Sequence, residues 1–331
     1  WIAAPHKTTV ETDVFKHSSL GPSAAHRWMP CPGSVAACKD YPRETNIYAA
    51  EGTAAHQVAE DCLRSGDDAE DHLGRELEVE GMTFTVSREM VDGIQLYLDV
   101  VRSDAKKMGA KILVERRVSL EKVHPGIFGT ADAILIKGKL LKTYDLKYGR
   151  GIVIARENPQ PLCYTVGAML ELDPKKKVEE AEMVIVQPRV TDPVKRWAVT
   201  RKYMNNFAKD LRAAAQATEA KDAPLVPGEK QCQWCDHKPN CPALEKFALD
   251  KAMAEFDEDG DLELPDVDDM GDNAMIEVLR WAPMIRGYLS AIETKAWKML
   301  ENGGAVEGYK LVDKRATRKW KDGVTSTLQG L

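Results

Sequence analysis

Asp145 and Lys147 stand two residues apart in YDLKYGRG, Tyr144 to Gly151, a stretch that reads as a strand ending in glycines. On a strand that spacing puts a carboxylate and an ammonium on one face. Asp132 lies on the preceding strand, and the two strands read as an antiparallel hairpin joined at Lys137-Gly138. A two-residue loop sets Ile136 opposite Lys139 and Asp132 opposite Thr143, so Asp132, Asp145 and Lys147 share a side. Diagonal neighbours on a sheet sit roughly 7–8 Å apart at the backbone, within reach of one ion. Two carboxylates on one face repel unless something positive lies between them. Oxygen ligands with open water positions suit Mg2+ or Mn2+. Such an ion lowers the pKa of a bound water and polarises a phosphate oxygen, and Lys147 would orient that water. Spacing alone leaves a second reading open: a surface Asp–Lys pair with an unrelated aspartate nearby.

Cys232, Cys235 and Cys241 form C-x2-C-x5-C. Three thiols this close are hard to explain as packing, and a structural metal needs a fourth ligand. Cys31, in the turn-rich MPCPGS, is the first choice, with Cys38 behind it. His237, between Cys235 and Cys241, completes a local Cys3His zinc site instead. Cys62 and Cys163 fall within helical patterns and read as small buried residues. All seven cysteines lie in a 331-residue chain without a visible signal peptide, which favours cytosolic thiols or metal ligands over a disulfide framework. The expected location is the cytoplasm. Trp1 at the first position reads as a start inside a longer gene product.

The elements that must position these residues follow from pattern. Residues 1–21 read as an irregular lead-in. EGTAAHQVAEDCLRSG is a helix capped by Thr53 and closed by Gly66, with Val58, Ala59, Cys62 and Leu63 as its apolar stripe. Met90, Ile94, Leu98 and Val101 give a second helix over Ser87 to Met108. KILVERRVSL and FGTADAILIKGKLLKTYDLKY supply three strands, and AEMVIVQPRV a further one ended by Pro188. Pro161 suits the first turn of a helix through Tyr164 to about Leu172, and Thr200 to Ala220 reads as helical. Residues 255–273 form an acidic linker whose offsets do not fit a calcium loop. Residues 274–331 form a helical and basic extension, with a break at Pro283. The predicted class is mixed α/β (α+β), a central mixed sheet flanked by helices. With 44% hydrophobic residues a sizeable core is expected, and no apolar run reaches membrane-spanning length. Net charge −6 argues against a uniformly basic coat but allows a local basic groove.

GTAD at Gly129–Asp132, YDLK ending at Lys147, and QPLCY from Gln160 to Tyr164 together resemble the nuclease core of the PD-(D/E)XK superfamily, in its RecB-like exonuclease branch. The resemblance spans about Pro22 to Pro242, and residues 22–243 are taken as one nuclease domain including a cysteine clip. It implies a restriction-endonuclease-like core and DNA as substrate. It also implies a histidine on an upstream helix that completes the metal site, and His56 in GTAAHQVAE fits, with Glu60 on the same helix face. Glu115 is an accessory candidate, or else an exposed strand neighbour of Arg116 and Arg117. Gln160 and Tyr164, one helical turn apart, are implied to line the site and touch DNA or order Lys147. Otherwise Tyr164 is a half-buried aromatic.

The cysteine set is similar to that of the AddB-type and CRISPR adaptation nucleases. There one cysteine before the core joins three after it around a [4Fe–4S] cluster. That implies Cys31, Cys232, Cys235 and Cys241 as ligands, with zinc as the rival. SAAHRWMPCPGSVA and GYKLVDKRATRKW also resemble a phage and prophage group of RecB-like proteins. The expected activity is metal-dependent exonucleolytic hydrolysis of DNA in phage recombination, replication or end processing. His56, Asp132 and Asp145 would bind the ion with the Leu146 carbonyl. Arg27, Arg116, Arg117, Lys142 and Arg150 would steer phosphates. Arg315, Arg318, Lys319 and Trp320 would hold a strand, or else form a solvated terminus. A single-strand annealing protein is a partner by analogy, and no membrane is expected. The alternatives are a nicking or structure-specific endonuclease, and an iron–sulphur DNA-binding scaffold with a vestigial metal site.

Overall fold

A computed structural model describes residues 18, 20–41, 46–253 and 271–312. Most of the lead-in, most of the acidic stretch, and Arg315, Arg318, Lys319 and Trp320 lie outside the described residues. The chain divides into two units, residues 1–237 with 241–254, and residues 238–240 with 255–331.

The first unit carries, in chain order, α1 (Ala25–Trp28), α2 (Ser34–Ala37), α3 (Ile47–Ser65), β1 (Glu76–Val79), β2 (Met82–Thr85) and α4 (Arg88–Met108). Then come β3 (Ile112–Ser119), β4 (Phe128–Lys137), β5 (Leu140–Leu146), α5 (Pro159–Leu172), β6 (Glu180–Val186) and β7 (Val194–Thr200). It ends with α6 (Arg201–Ala217), α7 (Glu229–Gln233) and α8 (Pro242–Met253). Five strands form one mixed sheet in the order β3-β4-β5-β6-β7, antiparallel except for β5 beside β6, which α5 joins as a crossover. β1 and β2 pair as a separate hairpin.

Each face of the sheet is covered. Ala133, Leu135, Tyr144, Leu146, Val184 and Val186 pack against Val58 and Cys62 of α3 and Ile94, Leu98 and Val101 of α4. On the other face Ile134, Leu141, Ala181, Met183 and Val199 meet Leu162, Val166 and Met169 of α5 and Met204 and Leu211 of α6. Burying both faces is why β6 ends in the continuous apolar run Met183 to Val186. A Cβ on Gly129 would lie 2.8 Å from the Tyr164 ring and 2.9 Å from Pro22, so this position needs glycine for β4 to approach α5.

Local signals set most boundaries. Ser87 caps α4 by accepting the Met90 N–H, and Thr200 caps α6 through Tyr203. Gly66 ends α3 at φ 92°. Three expectations are corrected. α3 starts earlier, at Asn46, whose side chain accepts the Ala49 N–H, while Thr53 lies inside the helix and donates back to the Ala49 carbonyl. The β4–β5 turn is Gly138-Lys139, with Lys137 opposite Leu140. Gly138 has φ 60°, the sign a II′ hairpin requires at its first central residue. In the second unit α9 (Asp272–Glu301) runs through Pro283 without a break.

Candidate metal centre

The hairpin register moves Asp132 by two positions relative to expectation. Ala133 pairs with Tyr144, so one further step puts Asp132 across from Asp145 rather than Thr143. A shift of two keeps the strand parity, and the charge of Asp145 acts on Asp132, but Asp145 is not among the ligand atoms that gather closely around Asp132. The strands part at this end, and the Asp132 carboxylate accepts the Leu146 N–H at 2.7 Å in place of a ladder bond.

On its other side Asp132 lies beside β3, where the ladder pairs Val114 with Ala133 and Arg116 with Ala131 and skips Glu115. Glu115 has φ 44°, a left-handed conformation that a side chain with a Cβ adopts at a cost. Ala131 belongs to one core and Ala133 to the other, although alternate residues of a regular strand share a face. The backbone is therefore twisted at this point, which turns Glu115 and Asp132 toward α3.

His56 comes from α3. Its Nδ1 is 3.4 Å from Oδ2 of Asp132, and ligand atoms of His56, Glu115 and Asp132 all lie within 4.8 Å of one another. They line a cleft with Glu60, Leu63, Tyr97 and Leu146. Glu115, which one reading took as an exposed neighbour of Arg116 and Arg117, is half-buried in this group. Burial first, then the charges of Asp132 and Glu60, raises its carboxyl to about 8. Burial also raises Asp132, with His56 opposing and Asp145 reinforcing the shift. Carboxyls held up in this way are expected where a cation would relieve their repulsion.

Asp145 is buried, and the Lys147 Nζ lies 3.0 Å from its Oδ1 and 2.8 Å from its Oδ2. The one ammonium thus holds both oxygens of the carboxylate. From α5, Gln160 Nε2 donates to the Tyr164 hydroxyl at 3.2 Å. Burial first and the charge of Asp145 next raise the Tyr164 phenol, so it stays neutral. Glu60 pairs with Arg64 at 2.8 Å.

The basic candidates scatter. Arg27 donates to the Ser34 carbonyl at 2.7 Å, Arg150 pairs with Glu89 at 3.1 Å, Arg116 with Glu171 at 3.6 Å, and Arg117 stacks 4.3 Å over Phe128. Lys142 does not reach the site. It pairs with Asp104 and Glu182 in a network that Arg196 completes, because its even position on β5 faces α4.

Two residues escaped the sequence reading. Gln187 is fully buried and donates to the carbonyls of Gly149 and Gly151 while accepting from Val153 N and Lys195 Nζ. Arg189 makes a two-pronged pair with Glu51 at 2.7 and 2.8 Å and covers the Tyr148 ring at 3.8 Å. QPR after a strand was the available signal, masked by reading Pro188 only as a strand stop.

The cysteines sit where both ends of the unit meet. Gly33 N donates to the Pro224 carbonyl, and a Cβ there would lie 2.4 Å from the Ala223 oxygen. The Cys31 sulfur accepts the Val226 N–H and the Cys232 sulfur that of Gly228. Cys38, the reserve candidate, touches Cys235 at 3.7 Å, and His237 bonds Tyr41. Hydrogen bonding to Cys235 lowers the Cys38 thiol to about 6 and raises that of Cys235. Among the described residues no three cysteines come as close together as His56, Glu115 and Asp132 do. Cys62 and Cys163 are buried in the cores.

A family model described as "Protein of unknown function (DUF2800)" matches residues 17–329. The chain belongs to the DUF2800 family. Solved structures give distant likenesses to this DUF2800 chain. A protein of Eubacterium rectale named "Putative exonuclease" is 11% identical, covering 71% of this chain and 92% of its own at TM-score 0.40. The alkaline exonuclease LHK-Exo of Laribacter hongkongensis is 12% identical, covering 60% and 91%, at TM-score 0.26. Among the described residues of the DUF2800 chain no helix is long and apolar enough to cross a membrane.

Proposed function

We propose that this DUF2800 protein is a divalent-metal-dependent DNA exonuclease of the RecB-like PD-(D/E)XK type. The observation that carries the reading is one convergence. His56 from α3, Glu115 and Asp132 from neighbouring strands lie within 4.8 Å, and Lys147 is seated on Asp145 across the hairpin. The donor set fits a hard dication, being imidazole and carboxylate, with the Glu115 and Asp132 carboxyls both held up by burial and by neighbouring carboxylates. His56, Asp132 and Asp145 would hold it, with Glu115 and the Leu146 carbonyl as further contacts. When bound, the ion supplies an activated water and polarises the scissile phosphate.

The chain's own groups do the rest. Asp145 holds the Lys147 ammonium at the site, where it hydrogen-bonds the incoming water or phosphate oxygen. The neutral Tyr164 hydroxyl, oriented by Gln160, donates to the DNA backbone without charge repulsion. Arg150, paired on the surface with Glu89, can exchange that partner for a phosphate, while Arg27, half-buried on the Ser34 carbonyl, would add positive charge near the cysteines.

The thiols of Cys31, Cys232, Cys235 and Cys241 are proposed to hold a [4Fe–4S] cluster that fastens the ends of the nuclease domain, residues 22–243. Each thiolate of a cluster sits on its own iron, so the sulfurs need not converge as one ion's ligands do. Backbone N–H groups aimed at the Cys31 and Cys232 sulfurs suit thiolates. Zinc remains the competing occupant, with His237 or Cys38 as ligand.

The test is cleavage of end-labelled linear DNA against closed circles, with and without Mn2+. Metal-dependent loss of linear DNA alone is expected. Nicked circles would instead indicate an endonuclease. Binding without any cleavage would indicate a scaffold.

A further inference from the structure

The segment between Lys147 and α5 holds an unusual combination. Ile152 and Ile154 are 75% and 64% exposed, while Ala155 next to them is buried. The two isoleucines, two residues apart, make a small exposed apolar tip, and its backbone is pinned. The buried Gln187 uses its amide on the Gly149 and Gly151 carbonyls and its oxygen on Val153 N. Asn158 both caps α5 and donates to the Ile154 carbonyl. Arg150 and Arg156, each more than 70% exposed, flank the two isoleucines. Their carboxylate neighbours are surface partners, Glu89 at 3.1 Å and Glu157 at 3.9 Å, weak enough to yield to phosphate.

We propose that residues 149–156 form a rigid wedge that engages the end of a DNA duplex. Ile152 and Ile154 press on the terminal base pair, and Arg150 and Arg156 hold the phosphates of the separating strands. The occupant is chosen by charge and position. A rigid apolar tip between two arginines complements stacked bases between phosphates, and the tip follows directly on Lys147. Apolar side chains driven between bases unstack them, and contacts to the splayed strands offset the cost. The proposal rests on the nuclease reading for its substrate but not for its test.

The test uses the full chain in EDTA with a blunt DNA duplex carrying 2-aminopurine at its terminal pair. Anisotropy of a dye at the far end reports binding. Saturating protein should raise 2-aminopurine fluorescence about two-fold or more as the base unstacks. The I152S/I154S variant should lose that rise while still binding. Q187L, which frees the loop but keeps its side chains, should reduce it. In Mn2+ the ratio of blunt-duplex to single-strand cleavage should fall about ten-fold in I152S/I154S. A wild-type protein that binds duplex ends without a fluorescence rise, or an I152S/I154S variant that gives the full rise, overturns the wedge while leaving the nuclease reading standing. Failure to bind duplex ends, or loss of a dimer in I152S/I154S by light scattering, also overturns it. A rise without any cleavage sinks the nuclease reading and keeps the wedge.

Discussion

Glu115 faces Asp132 across the point where the β3–β4 ladder skips a pair, and it does so at φ 44°. A glutamate in that conformation loses both a ladder bond and a comfortable backbone. What the strain achieves is placement, since it turns a second carboxylate toward His56.

That placement sets a pH dependence. The Glu115 carboxyl titrates near 8 in the metal-free fold and near 4.5 when unfolded, and Asp132 is shifted in the same direction. Between those values the unfolded chain has released a proton that the folded one keeps, so stability falls as pH rises from about 4.5 to about 8. The Tm of chelated protein should drop across that window, and E115Q should flatten the slope. Mn2+ should raise Tm more at pH 8 than at pH 5, because the ion must displace the protons.

Lys147→Met removes the ammonium but keeps the stem that fills the space beside Asp145. Cleavage should fall by about 100-fold or more, in keeping with the loss of a group that acts at the reacting centre. Binding of the same DNA in Ca2+ should stay within about three-fold. Unchanged turnover would remove Lys147 from the reaction.

Arg189→Met leaves Glu51 without its two-pronged partner and uncovers Tyr148. A loss of about 1–3 kcal/mol in urea unfolding is expected. The R189M/E51L double variant should recover part of it, because the stranded charge is gone. Equal losses in both variants would mean that the ring contact, not the ion pair, carries the stability.

Anaerobically purified protein should be brown and carry about four irons per chain, and C31S or C235S should bleach it. C38S discriminates between the two occupants, since Cys38 is outside the proposed cluster set. One zinc per chain, no iron and loss of that zinc in C38S would replace the cluster by a mononuclear site.

What the amino acids disclosed was governed by range. α4 and α6 could be drawn from apolar spacing and a serine or threonine cap, because those signals are local. The strand parity of Asp132 relative to Asp145 was legible, since any shift of register by two preserves it, but the turn of Asp132 toward α3 was not. The register itself was not, because Lys137-Gly138-Lys139 allows the glycine to take either central position of the turn. β7 and the β1–β2 hairpin were missed although ELEVEGMTFTV alternates, as short half-exposed strands compete poorly with stronger neighbours. Glu115 could not be ranked, since nothing in VERRVS announces a left-handed glutamate. The ion pairs that occupy Lys142 and Arg150 depend on side chains 38 and 61 residues away, which no window sees.

The seam between Gly33 and the Ala223–Pro224 backbone has a temporal consequence. During synthesis every strand of the sheet is made before residues 223–232 exist, so Trp28 and Cys31 must wait beside an unfinished wall. A ribosome stalled just after Ala217 should therefore present α1 to protease, and one stalled far enough beyond Cys241 for residues 223–232 to have cleared the exit tunnel should not.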